Sequence, residues 1–314
     1  MAMLPPDPVH RFKEDMGYIH CLCFWTRGNN DYVSHILAAT EKGIVYFWDL
    51  ETNRLQHKQK MGNSIQAIHC VNFNIITQDK AGFVNLWSVR GSKYEITDSR
   101  DCSGGYCKSI LFEGSLIIAK EDGCIEILQV YNLQKVKELK PNKEGLGHIM
   151  ILDQVLLDNK VIIIAGYETG HLVIWNMETS ECYGFLKVQE HLLSLTFDPE
   201  TRRGICGNTS ETLQVFSINN DYKMELKAEV SMTNDGCNVL KLRRPESKIM
   251  LAGCSDGKIR VYSWRTLRVL AALSGHNGPV TDIQCSPCKV NFWKAKIFAA
   301  SGADGVISLW NVYN

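Results

Sequence analysis

The chain holds 314 residues with 45% hydrophobic content, and its 34 basic and 34 acidic side chains leave no net charge. That much apolar material supports a sizeable core, and the charge balance argues against nucleic acid or an acidic membrane as the main partner, because both need a concentrated basic face. The pairs Arg202-Arg203 and Arg243-Arg244 are too short to supply one. The longest apolar runs, such as 161–166, have strand length, so no segment is expected to span a membrane. The first eight residues, with prolines at 5, 6 and 8, lack the apolar stretch of a secretory signal. Twelve cysteines lie mostly inside strand-like segments (Cys70, Cys107, Cys237, Cys285) with no framework spacing, which reads as buried reduced thiols of an intracellular protein.

Taken in chain order, one unit recurs seven times. Each has a tight turn, then a short alternating strand that closes on a large apolar residue: Gly43 to Trp48, Gly82 to Trp87, Gly123 to Leu128, Gly170 to Trp175, Glu211 to Phe216, Gly257 to Tyr262 and Gly305 to Trp310. The closing positions 48, 87, 128, 175, 216, 262 and 310 are separated by 39, 41, 47, 41, 46 and 48 residues. A second series, apolar at offsets 0, 3 and 5, marks the first strand of each unit: Ile19/Leu22/Phe24, Ile65/Ile68/Cys70, Cys107/Ile110/Phe112, Leu192/Leu195/Phe197, Cys237/Leu240/Leu242 and Val280/Ile283/Cys285. Around Gly147 to Leu152 the fourth unit is too uniformly apolar to fix a register.

Near-equal repeats of this length predict an all-β, seven-bladed propeller, with a tail over 1–8 and a single ring over 9–314. The blades fall near 17–59, 60–101, 102–140, 144–189, 190–231, 232–274 and 275–314. Second strands are expected at Ile36–Ala39 in blade one and Val161–Ala165 in blade four, and an outer strand near Arg54 to Lys60. Blade seven ends four residues past Trp310, leaving no room for its outer strand. The unassigned segment Val9 to Lys13 is the expected substitute, because an open seam would expose a row of unpaired backbone groups.

The last unit, with Gly275-His276 before its first strand, Asp304-Gly305 in its hairpin and Trp310 at its close, resembles the WD repeat. That resemblance implies a hydrogen-bonded structural set of His276, Ser301, Asp304 and Trp310. A Ser-His-Asp triad has the same residue types, but here the Asp belongs to a hairpin and the Trp N–H needs a buried acceptor. Trp48, Asp49, Trp87 and Trp175 are the corresponding residues of other blades; His148 and His191 could serve as the histidine, and Asp79, Asp122 and Asp256 as the hairpin acid. The Cys285-to-Cys288 C-x-x-C has no second ligand pair nearby for zinc, and Gly253 to Lys258 has the wrong length for a phosphate loop. No catalytic motif appears, and neither cofactor nor metal is expected.

Three tryptophans close no blade. Trp25, Trp264 and Trp293 follow a first strand, a third strand and a first strand in blades one, six and seven, which places them in one sector of one face. With Arg265 and Phe292 they form the candidate partner-binding patch, the alternative being that each folds back as a lid over its own blade. A second candidate is the opposite face, with Lys80, Glu121, Tyr167, Glu168 and His191.

The strings Ala165 to Trp175, Phe197 to Gly207 and Ile259 to Leu267 resemble the G-protein β-subunit-like protein 1 family, which is related to yeast ASTRA-associated protein 1; the likeness is best over 145–314. It implies a non-catalytic, monomeric scaffold in cytoplasm and nucleus. That scaffold would work with the Tel-Tti co-chaperone assembly and the ninety-kilodalton heat-shock chaperone in maturing phosphatidylinositol-3-kinase-related kinases. A G-protein γ subunit is not expected, since fewer than twenty residues, several of them proline, precede blade one. Other classes with the same fold are a ubiquitin-ligase substrate receptor, a histone reader and a propeller hydrolase; the last would need His or carboxylate groups clustered in the channel.

Overall fold

A computed structural model describes residues 5–26, 31–234, 236–244 and 247–313. They form seven four-stranded antiparallel sheets arranged as a ring, with no helix among the described residues. Each blade runs outward from a first strand at the central channel. The outer strand Arg54–Lys60 of blade one lies where the sequence placed it, and the second strands, His35–Thr40 and Lys160–Tyr167, extend slightly beyond their expected spans. Helix-free patterning has a simple cause: period-2 alternation puts one face of each blade against the next, and the buried residues gather into clusters that bridge neighbouring blades.

An offset of three cannot keep two residues on the same side of a regular strand. The structure resolves this with a β-bulge near the start of the first strand, at Ile19/Cys21, Ile65/Ala67, Cys237/Val239 and Val280/Asp282. Blade four follows the same rule. Its first strand, Ile149–Leu157, bulges between Ile149 and Ile151, so that Ile149 and Leu152 are both buried.

The ring closes through its N-terminal segment. Strand His10–Lys13 pairs antiparallel with Val306–Trp310, from His10 opposite Leu309 to Lys13 opposite Val306, and becomes the outer strand of blade seven. Phe12, 2% exposed, stacks on Trp48 of blade one at 4.6 Å between ring centroids, so one residue joins both sides of the seam. A second clasp was not foreseen: Tyr32–Val33 of blade one pairs in parallel with Lys289–Val290 of blade seven. Two-residue strands inside loops carry too little pattern to be read from sequence.

Side-chain bonds hold the inner strands together. Asp282 Oδ2 accepts from the Leu22 N–H across the seam at 2.8 Å, and Asp153 Oδ2 accepts from the Phe197 N–H at 3.0 Å. Gln78 links blade two to blade three through Ser109 N–H and Cys107 C=O. Lys108 Nζ donates to the carbonyls of His20 and Thr281, tying blade three to blades one and seven.

Candidate protein-interaction surface

Blade seven contains a complete polar relay. Asp304, at the hairpin, sits 3.1 Å from His276 Nδ1 and also accepts from the backbone N–H of Asn277 at 2.9 Å. His276 Nε2 lies 2.9 Å from Ser308 Oγ, and Trp310 Nε1–H donates to that same oxygen at 2.8 Å. With Nδ1–H donating to the carboxylate, Nε2 is free to accept the Ser308 hydroxyl proton, whose oxygen in turn accepts from the tryptophan. Protonating His276 would turn Nε2 into a competing donor. Burial lowers the His276 pKa, opposed by Asp304, so the neutral ring fits its surroundings. Gly302 is needed here: a Cβ on it would lie 2.6 Å from His276 Nδ1 and 2.5 Å from Asp304 Oδ1.

Ser301, expected in this set, is not part of it. Ala300 stands opposite Ser308 and Ser301 opposite Ile307, so alternation turns Ser301 to the other face, where its hydroxyl meets Thr281 Oγ1 at 2.9 Å. Ser308, two residues before the tryptophan, takes the role. Sequence could have revealed it, since the parity of positions relative to Trp310 decides which side chains share its face. In blade two, Thr77 occupies the register of Ala300 and accepts from Trp87 Nε1 at 2.9 Å. Trp48 and Trp175 have Tyr46 and Val173 two positions before them, and their indole nitrogens find no partner among the described residues. Asp49 caps a turn, accepting from the Glu51 and Thr52 N–H groups. His148 and His191 make no equivalent relay: His148 Nδ1 lacks a partner among the described residues, and His191 is exposed with φ +56°.

The three tryptophans do not form an exposed patch. Trp25 and Trp264 are each 2% exposed and cannot anchor a partner. Trp25 Nε1–H donates to Asn72 C=O in blade two at 2.8 Å, and its ring packs with Phe47 and Tyr94. Trp264 Nε1–H donates to Asp198 Oδ2 in blade five at 2.9 Å, and the Arg203 guanidinium lies 4.2 Å from its ring centre. Neither lids its own blade, for both reach sideways to fasten a neighbouring one. Trp293 is half-buried on the cluster at the seam and meets Phe292 edge-to-face at 5.0 Å. Of the five candidates, Phe292 (54% exposed) and Arg265 are exposed.

On the opposite face, Tyr167 is buried and donates to Gly123 C=O, whereas Lys80, Glu121, Glu168 and His191 are exposed. A groove of about 400 Å³ there is lined by charges of both signs, including Glu121, Lys143 and Glu144, together with His148. In the channel, His69 Nε2 lies 3.0 Å from Ser109 Oγ, but no carboxylate is hydrogen-bonded to this imidazole among the described residues. The Asp282 carboxylate is taken up by the Leu22 and Ile283 N–H groups and by Gln284. No group of His, Cys, Asp or Glu among the described residues is arranged to hold a metal.

A family model described as WD domain, G-beta repeat matches residues 267–311, which span the one blade carrying the whole His-Asp-Ser-Trp relay. The chain is a seven-bladed β-propeller that carries a WD repeat. It is 27% identical over 330 residues to guanine nucleotide-binding protein subunit beta-like protein 1 of Mus musculus, covering 99% of this chain and 98% of that protein. It is 26% identical to ASTRA-associated protein 1 of Schizosaccharomyces japonicus over 58% of this chain and 52% of that protein. WD repeat-containing protein 90 of Xenopus tropicalis matches at 23% over 88% of the chain, but over only 16% of its own length. WD-repeat propellers generally mediate protein–protein contacts, and the likeness to the β-subunit-like and ASTRA-associated proteins agrees with the resemblance seen in the sequence.

Proposed function

We propose that this propeller is a non-catalytic adaptor in Tel-Tti-type, co-chaperone-assisted maturation of phosphatidylinositol-3-kinase-related kinases, acting in cytoplasm and nucleus. The observation that carries the reading is the end-to-end likeness to a β-subunit-like protein, joined by the partial likeness to an ASTRA-associated one. Asp282, Lys108 and Gln78 on the inner strands are spent on bonds between blades, which favours a scaffold over a hydrolase.

Affinity capture of the tagged full chain from cell extract, read by mass spectrometry, tests this. Enrichment of Tel-Tti subunits and of the kinases is expected, together with a fall in kinase abundance on depletion of the chain. Recovery of cullin-ligase adaptors or histones in their place would overturn it. Fluorescence of the tagged chain in both compartments is the expected localisation.

A further inference from the structure

The neutral total charge conceals a polarised face. Loops after first and third strands emerge on the same side of a propeller, and in blades six and seven those segments carry three basic residues in 243–248, two in 264–268 and three in 286–297, against one acid. The matching loops of blades one to four hold two acids in blade one, one in blade three and three in blade four, against one arginine. Part of the basic set is structural, as Arg243 binds the Val312 carbonyl and Arg244 the Phe197 carbonyl. Arg265, Arg268, Lys289 and Lys294 are exposed, and none of them forms an ion pair with a described residue. Each of these segments also presents exposed apolar side chains beside its cations in the chain: Phe292 at 54% exposure between Lys289 and Lys294, and Val269 at 53% and Leu270 at 46% just after Arg268. The two blades meet here, since Tyr313 donates to the Leu270 carbonyl.

We propose that this loop face of blades six and seven binds an acidic protein segment bearing an apolar anchor. Arginine and lysine that form no ion pair with a described residue, next in the chain to exposed aromatic and aliphatic side chains, match carboxylates flanking a hydrophobic residue, although Lys294 also donates to Asn291 Oδ1. Single-stranded nucleic acid fits less well. It needs flat rings open for base stacking along a continuous basic groove, whereas Phe292 is turned edge-on to Trp293 at 69° and Val269 and Leu270 offer no ring. The inference rests on the adaptor reading and adds to it a surface and a partner chemistry.

Fluorescence anisotropy of the full chain with a labelled synthetic peptide of alternating Glu and Leu around one Phe tests it, with a Gln-for-Glu peptide as control. The acidic peptide should bind and weaken as salt rises. A triple Arg265→Glu, Arg268→Glu, Lys294→Glu variant should lose about tenfold or more in affinity, while Lys42→Glu with Lys80→Glu, on the opposite face, should change nothing. Phe292→Ser should weaken binding at every salt concentration. No binding by the unmodified chain, equal binding of the Gln peptide, an unaffected triple variant, or tighter binding of an oligothymidylate would each overturn the proposal. Loss of Tel-Tti capture with peptide binding intact would instead sink the adaptor reading alone, because the peptide assay contains no cellular protein.

Discussion

Replacing Phe12 by Ala tests whether the N-terminal strand closes the ring energetically as well as geometrically. The side chain is 2% exposed, stacks on Trp48 at 4.6 Å and shares a cluster with Met16, Ile307 and Leu309, so it touches both blades of the seam. Removing a buried phenyl costs about 3–5 kcal/mol when the cavity does not collapse. Collapse is hindered here because the second clasp, Tyr32–Val33 on Lys289–Val290, holds the same two blades apart at their present spacing. Urea unfolding followed by tryptophan fluorescence would report the loss as a lower midpoint with an unchanged slope. Should the strand detach before the ring unfolds, amide exchange at 306–309 would accelerate instead, and the global loss would be capped at the free energy of that local opening. Arg11→Ala, on the exposed side of the same strand, is the control and should stay within about 0.5 kcal/mol. A Phe12→Ala loss below about 1 kcal/mol with unchanged exchange would refute the closure argument.

The relay of blade seven predicts that Ser308→Ala costs about 2–4 kcal/mol by stranding both the Trp310 N–H and His276 Nε2, whereas Ser301→Ala, which releases only the Thr281 hydroxyl, costs about 1 kcal/mol or less; equal losses in denaturant melts would reject the assignment. Trp264→Phe should lower stability by about 1.5–3 kcal/mol, because it removes a donor to the Asp198 carboxylate, yet leave partner capture by the folded variant unchanged. Loss of capture at full stability would return Trp264 to the surface patch. Acid should weaken the fold through two half-buried imidazoles: desolvation depresses His69 to about 4, and desolvation with Lys80 and Lys108 depresses His20 to about 4. Folded pKa values below the unfolded value mean that the unfolded chain binds more protons between about pH 4 and 6.5, so stability falls as pH drops through that window and is level above it. For His69 the limit is about 3 kcal/mol, reduced by whatever channel water reaches the ring. His69→Gln should therefore flatten the pH dependence of the thermal midpoint.

The ring was legible because its signals are periodic. Turn, alternating strand and closing residue recur often enough that Leu128, Phe216 and Tyr262 could replace tryptophan without hiding the unit, and the missing outer strand of blade seven pointed by elimination to Val9 to Lys13, within which the strand His10–Lys13 forms. Other features were illegible for physical reasons. In the first strands, the odd offset that marked the blades so well is itself the trace of a bulge, which could have been inferred from the impossibility of placing residues 0 and 3 on one face. Ser301 and Ser308 have the same chemistry, and only a one-residue parity separates them. A tryptophan just past a strand end is equally compatible with solvent and with a neighbour's edge. What settled Trp25 and Trp264 was the acceptor each found across the blade boundary, Asn72 C=O and Asp198 Oδ2, and neither is near in sequence.

These bonds also explain how six blades tolerate an incomplete relay. In an isolated repeat, the His-Asp-Ser-Trp chain fixes the hairpin against the strand that follows it, and its loss would leave buried donors unpaired, as at Trp48 and Trp175. Here rigidity comes from between the blades: Asp282 on Leu22, Asp153 on Phe197, Gln78 on Ser109, Trp264 on Asp198. Each spends a polar side chain on a neighbour's backbone or side chain, so an individual blade need not be self-sufficient. The consequence for function is directional. Staples occupy the inner strands and the blade boundaries, while in the loops of blades six and seven Arg265, Arg268, Lys289 and Lys294 are exposed with no ion-pair partner among the described residues and Phe292 is exposed, so binding is expected from that rim and not from the channel.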